Sequence, residues 1–346
     1  MYQELLQPHL ISRALPKGFE STVHWKFREA EKHDSPHTFI AELKNARVWG
    51  RNGAVITSDN CLLTDVSREF GEKPPWEHSI FERLQLPEPY FLDGTAVVLS
   101  AAGGEGYFHW LLEVLPRLHL LSLADISFDS IDAFIVNSQE TSYQQETLAR
   151  LGVPADKIVT SDRFPHLKAE RLLVPSLPGI TGNPPSWVCE FLRDRFLPEE
   201  RLSPTRRIYI QRPQEVDRRR VVNEPQTLEL LSRFGFEPVK FELLSVAEQA
   251  RIVASSEAII GPHGAGLSNL VFGTPKTKVI EVFNPSYVNV CFWAISDRIG
   301  ADYYYLLSDD PKPKEDENPC LPKANIRMPL DRLEKALEQL FSRSRV

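Results

Sequence analysis

Apolar and polar positions change rhythm several times along the chain. Two early runs, FIAELKNARVWG and GAVITSDNCLLTDV, have strand character, and the Asn52-Gly53 pair between them is a turn signal. An antiparallel hairpin is predicted there. The first forty residues show no such period and read as irregular, with His33 and His37 in an HDSPH segment. Residues 71–90 are rich in proline and aromatic side chains and read as a long loop or lid.

From Thr95 onward, short apolar runs alternate with helical spacing. TAVVLS reads as a buried strand leading into a glycine loop, Gly103-Gly104-Glu105-Gly106. YFHWLLEVLPRLHLL follows as a helix, with Pro116 predicting a kink. DAFIVN, KIVT and ERLLVPS are strands, TSYQQETLARLG is a helix closed by Gly152, and prolines open the helix PPSWVCEFLRDRFL. The polar segment 197–205 is a linker. After it come five strands: RIYIQR, FEPVKF, EAIIG, TKVIEVF and DYYYLL. Asn223 is placed to cap the first intervening helix and Gly235 to end it, while Ser245 and Glu248 form a capping box for the next. Strands alternating with helices pair in parallel, which makes a Rossmann-like sheet. Leu330, Leu333, Leu337, Leu340 and Phe341 recur at helical spacing and predict an amphipathic terminal helix. The chain therefore reads as α/β, with lobes over residues 1–197 and 206–308 and a charged tether plus helix over 309–346.

Composition narrows the class. With 42% hydrophobic and 25% charged residues over 346 positions, the chain is globular and long enough for two cores. A net charge of −7 argues against a general nucleic-acid binder, which needs a basic surface. No apolar run approaches a membrane span, and the N-terminus lacks the basic-then-apolar pattern of a secretory signal. Cys61, Cys189, Cys291 and Cys320 are far apart, with neither zinc spacing nor a disulfide framework. These features point to a cytoplasmic protein without a metal centre.

Four features carry candidate chemistry. Gly261-Pro262-His263-Gly264-Ala265-Gly266-Leu267-Ser268-Asn269 leaves an apolar strand and opens a helix, a place where backbone N–H groups suit a phosphate. The alternative is a tight turn with no ligand. Residues 206–220 hold six arginines against Glu215 and Asp217, a local charge of +4 in an acidic chain. Of these, Arg212 stands at the end of a strand, and Arg219 and Arg220 precede a helix; arginine forks bind phosphate oxygens. Glu281 lies inside the apolar strand VIEVF, where a carboxylate needs a partner: ribose hydroxyls or a local cation. His109 and Glu113, four apart after the glycine loop, share one helical face and could serve as a general base and its orienting acid.

Taken together, RIYIQR, RRRVVNEPQTLELLSRFGFEPV, IIGPHGAGLSNLVF and KVIEVF, with GYFHWLLEVLPRL upstream, resemble glycosyltransferase family 61 over about residues 95–285. Gln211 stands where that family often has serine before the arginine. The resemblance implies a GT-B arrangement, two Rossmann-like lobes facing a cleft, with residues 1–197 on the acceptor side. It implies inverting, metal-independent transfer, with no cofactor, from a nucleotide sugar, most often a UDP-sugar. The acceptor would be a glycan or lipid-linked glycan, as in capsular or exopolysaccharide synthesis, with peripheral membrane association open. Carried onto this chain, the donor residues are Arg212, Arg219, Arg220, His263, Gly264, Ala265, Gly266, Leu267, Asn269 and Glu281. In that scheme Glu281 holds the ribose, and His109 backed by Glu113 is the base. Two other readings stay open: an NAD-dependent oxidoreductase, disfavoured by Asn269 in place of a third glycine, and a catalytically inactive nucleotide- or carbohydrate-binding scaffold.

Overall fold

Strands that are apolar on both faces need cover on both faces. The computed structural model describes residues 1–19, 22–71, 74–200, 202–213, 216, 218–311 and 321–341. Most of the charged tether, together with Cys320, Glu215 and Asp217, lies outside the described residues. The chain forms two compact units, Met1–His9 with Asp34–Phe191 and Leu10–His33 with Leu192–Val346.

The second unit carries a six-stranded sheet in the order Glu237–Val239, Arg206–Ile210, Ser256–Pro262, Lys278–Phe283, Asp302–Leu307, Lys17–Gly18. Every pairing is parallel. Alternate side chains send Tyr209, Ile260, Ile280, Val282 and Leu306 to one face. There they pack with Leu230, Leu231 and Phe234 and with Leu333, Leu337 and Phe341 of the terminal helix Leu330–Leu340. The helices Val246–Ala254 and Cys291–Arg298 flank the 3₁₀-helix Ala265–Phe272. The Ser245–Glu248 capping box forms as predicted. Asn223 does not cap with its side chain; its amide instead donates to Met328 O (3.0 Å) and accepts from Met328 N–H (2.8 Å), pinning the segment before the terminal helix.

The sequence reads five strands in this sheet; the sixth comes from the N-terminal region taken as irregular. Lys17–Gly18 pairs beside Tyr304 and Tyr305, and Lys17 Nζ meets Asp302 Oδ1 at 2.7 Å. The helix Trp25–Glu29 buries Phe27 against Trp293, Tyr303, Tyr305 and Phe283. Residues 10–33 are thus an aromatic-anchored arm of the second unit.

The first unit holds an eight-stranded mixed sheet. Its central path runs Tyr2–Leu6, Thr38–Lys44, His166–Pro175, Tyr90–Val98, Ala133–Val136, Ile158–Thr160. The last four of these pair in parallel, and the first two join them antiparallel. This sheet is α/β with an antiparallel extension, so it departs from a plain Rossmann lobe. The expected hairpin is present: Arg47–Trp49 pairs antiparallel with Ala54–Ile56 around a turn where Gly53 has φ 69°. A Cβ at Gly53 would meet Ser100 O at 2.8 Å, so glycine is required twice over.

Candidate active site

In the first unit the site grows from the strand Tyr90–Val98 and the glycine loop after it. Asn137 is fully buried and bonds both polar groups of Ala101, and a Cβ at Gly104 would lie 2.0 Å from its Oδ1. Gly103 has φ 68° and packs under Phe70 and His109. The loop is therefore a close-packed turn that sets the start of the next helix. Pro116 lacks an N–H and would clash with the preceding turn of an α-helix. The chain resolves this without a simple kink: Trp110–Val114 widens into a π-turn, with Leu115 N–H donating to Trp110 O at 3.0 Å. Turns of this kind often mark functional positions. Here it carries Glu113, whose Oε2 lies 3.0 Å from His109 Nδ1. With Nδ1–H donating to the carboxylate, Nε2 keeps its lone pair for a substrate proton. The His109 side chain is 21% exposed, and Glu113 Oε1 is buried without a hydrogen-bond partner.

In the second unit the strand order reverses between Arg206–Ile210 and Ser256–Pro262. Crevices outside the carboxyl ends of strands at such a reversal are where open α/β sheets bind ligands. The expected donor residues gather at this point. Arg212 Nη1 donates to His263 O at 3.2 Å, and Arg219 Nε donates to the same carbonyl at 3.0 Å. The Arg212 guanidinium lies against Gly264, where a Cβ would come within 1.8 Å of Nη1. Gly264 is extended (φ 176°), so its smallness and not its backbone freedom matters. Arg212 Nε is buried without a partner. Burial, with Arg219 and Arg218 nearby, pulls the Arg212 pKa down to about 10, and it stays charged at neutral pH. A partly buried cation with an unmatched donor is suited to an anion.

The remaining expected residues divide. Arg219 is already engaged: Nη1 also donates to Pro322 O at 2.6 Å, and its charge lies over the Tyr287 ring. Its φ of 53° is a left-handed conformation that costs a non-glycine residue about 1–2 kcal/mol. Arg219 thus braces the His263 carbonyl. Arg220 lines an open cavity of ≈ 640 Å³ with Gln211, Arg212, Glu224, Pro225 and Asn325. Leu267 and Asn269 are buried, and the Asn269 amide donates to Gln249 Oε1 at 2.7 Å; both side chains support the turn.

His263 and Glu281 form a buried pair instead of facing a ribose. His263 Nδ1 and Glu281 Oε1 are 2.5 Å apart, and Glu281 Oε2 accepts from Tyr303 Oη at 2.5 Å. The Glu281 side chain has no exposed surface. Burial pushes the Glu281 pKa well above the usual carboxylate range and the His263 pKa well below that of a free imidazole. Burial disfavours the charged form of both partners of this pair. The pair fixes the His263 backbone, whose carbonyl gathers both arginines.

Sequence reasoning missed Arg117. It is fully buried in a leucine-rich helix, donates to Pro175 O (2.6 and 3.2 Å) and Ser100 O (2.7 Å), and ties two strand ends to the helix behind His109. Burial lowers its pKa to about 9. Its one sequence signal is a charge inside an otherwise apolar helix face. Among the described residues, no group of three His, Cys, Asp or Glu side chains converges as a metal site, and no helix is long and apolar enough to cross a membrane.

Comparison with known proteins adds a family. The model of the family described as glycosyltransferase 61 matches residues 107–280, half of the chain, from the His109 helix into the strand that carries Glu281, stopping one residue short of it. A beta-1,2-xylosyltransferase of Oryza sativa subsp. japonica is 38% identical over 66 residues, and one of Arabidopsis thaliana is 33% identical over 63 residues. These segments cover 19% and 18% of this chain and 12% of each plant protein.

Proposed function

The chain belongs to the glycosyltransferase 61 family, and from that premise we propose that it moves a sugar from a nucleotide-diphosphate donor to a hydroxyl of a glycan. The observation that carries this reading is the Arg212 guanidinium seated on Gly264 at the strand-order reversal, with a buried N–H unmatched. A diphosphate supplies the acceptor oxygens that this group lacks.

The proposed chemistry is a single displacement with inversion. His109 Nε2 takes the acceptor hydroxyl proton, with Glu113 stabilising the imidazolium. The acceptor oxygen bonds to the anomeric carbon as the carbon–oxygen bond to the diphosphate breaks. The departing oxygen keeps the electron pair, and Arg212 meets the developing charge. Arginine supplies this charge without a metal. In this reading the donor-binding residues belong to the second unit and the base to the first. UDP-sugars are the first donors to test, and we put UDP-xylose first among them because the two plant relatives are named xylosyltransferases.

Calorimetric titration with UDP tests the reading. Wild type binds, and Arg212→Ala binds roughly 10- to 100-fold more weakly. Absence of binding by wild type at millimolar UDP overturns it. Binding without turnover on any glycan acceptor selects the inactive scaffold instead.

A further inference from the structure

Phe70 stands beside the candidate base. Its ring centroid lies 5.1 Å from that of His109, at 61° to the imidazole. Gly103 makes this approach possible, because a Cβ there would meet Phe70 Cζ at 2.6 Å and His109 Cδ2 at 3.0 Å. Phe70 is nevertheless 57% exposed.

The chain leading into the ring is anchored. Just before it, Val66 and Ser67 are buried, and Ser67 Oγ accepts from Val55 N–H at 2.9 Å. Immediately adjacent, the Glu69 carboxylate accepts from Ser79 N–H (2.9 Å) and from the Ser79 hydroxyl (2.5 Å). The ring therefore stands against the candidate base with more than half of its surface open to a ligand.

We infer that Phe70 is an acceptor-binding residue, which stacks the C–H face of a neutral sugar ring and so presents one of its hydroxyls to His109. The inference rests on the glycosyltransferase reading for its direction. An aromatic face is electronegative and attracts the polarised C–H bonds of a pyranose, while the sugar hydroxyls stay free to hydrogen-bond. Charge favours a sugar over a lipid surface. Residues 68–88 contain three basic and five acidic side chains, a net −2 that opposes anionic headgroups, although Trp76, Phe81 and Leu84 are exposed on the same segment.

Saturation-transfer NMR on the full chain tests this, with methyl β-D-xylopyranoside and methyl β-D-glucopyranoside as probes and no donor present. Irradiating aromatic protons should transfer magnetisation to the ring C–H protons of at least one glycoside. Phe70→Ala should weaken that glycoside about tenfold, and Phe70→Trp should retain it. Melting temperature and UDP titration report folding and the donor site separately, so failure of the transferase reading shows as lost UDP binding in wild type. Equal glycoside binding by folded Phe70→Ala and wild type overturns the inference. So does absence of glycoside binding by wild type at roughly 0.1 M. Phosphatidylcholine vesicle binding that Phe70→Ala abolishes, with glycoside binding intact, also overturns it and assigns the ring to a lipid surface.

Discussion

His109 and Glu113 meet at 3.0 Å one helical turn apart, with side chains 21% and 13% exposed. His263 and Glu281 meet at 2.5 Å across neighbouring backbone segments, with side chains 6% and 0% exposed. The functional groups are the same, but their surroundings separate the jobs. The first imidazole has one nitrogen oriented by a carboxylate and partial access to solvent, which a general base needs. The second is enclosed by Phe283, Tyr287 and Phe292, and burial disfavours the charged form of its partner. Its contribution is a carbonyl oxygen held still for two arginines. A histidine–carboxylate contact alone does not identify a base; access to the second nitrogen does.

Four substitutions can break or sharpen this contrast. His109→Ala should lower transfer by about 10²–10⁴-fold while UDP affinity stays within about twofold, read by initial rates and calorimetry. His263→Ala leaves Oε1 of the buried Glu281 without its partner and opens a cavity, and should cost about 2–5 kcal/mol in urea unfolding. Stability equal to wild type would remove the scaffold role. Gly264→Ala should displace Arg212 and weaken UDP roughly 10- to 100-fold in titration, with near-normal melting. Unchanged affinity would place the diphosphate elsewhere.

Glu281→Gln gives the smallest effect per pH unit and the clearest sign. The raised Glu281 pKa contributes stability that is fully present below the unfolded value of 4.5 and is lost as pH rises through the folded value. The lowered His263 pKa contributes stability present above 6.5 and lost as pH falls through its folded value. Above pH 4.5 the Glu281 contribution falls with rising pH, and below pH 6.5 the His263 contribution falls with falling pH, so the two oppose each other between these values. The advantage of wild type over Glu281→Gln should therefore shrink as pH rises above 4.5, by up to about 1.4 kcal/mol per pH unit. Urea unfolding across that range measures it. An advantage that grows with pH would mean that Glu281 is ionised.

What was legible in the sequence follows the range of each interaction. The His109–Glu113 contact is local, and a spacing of four announces it. The glycine turn after EAIIG and the terminal leucine stripe are local as well. Pro116 announces a disturbance but not its form, since a kink and a π-turn both answer the same missing N–H. Glu281 shows that a carboxylate in an apolar strand needs partners. Those partners, His263 and Tyr303, come from the end of one adjacent strand and the body of the other, and only strand register reveals them. Arg219 looks equivalent to Arg212 along the chain, yet Pro322, about a hundred residues away, takes one of its donors. The strand Lys17–Gly18 has two residues and no period to detect; it joins the second sheet because Phe27 and Trp293 anchor the arm around it.

Peptide mapping of histidine carbethoxylation by diethyl pyrocarbonate tests the contrast most directly. The reagent acylates neutral, accessible imidazole nitrogens. The account predicts modification of His109, loss of transfer in step with it, and no modification of His263 while the protein stays folded. Modification of His263 in the folded protein, or full transfer activity with His109 modified, would contradict it.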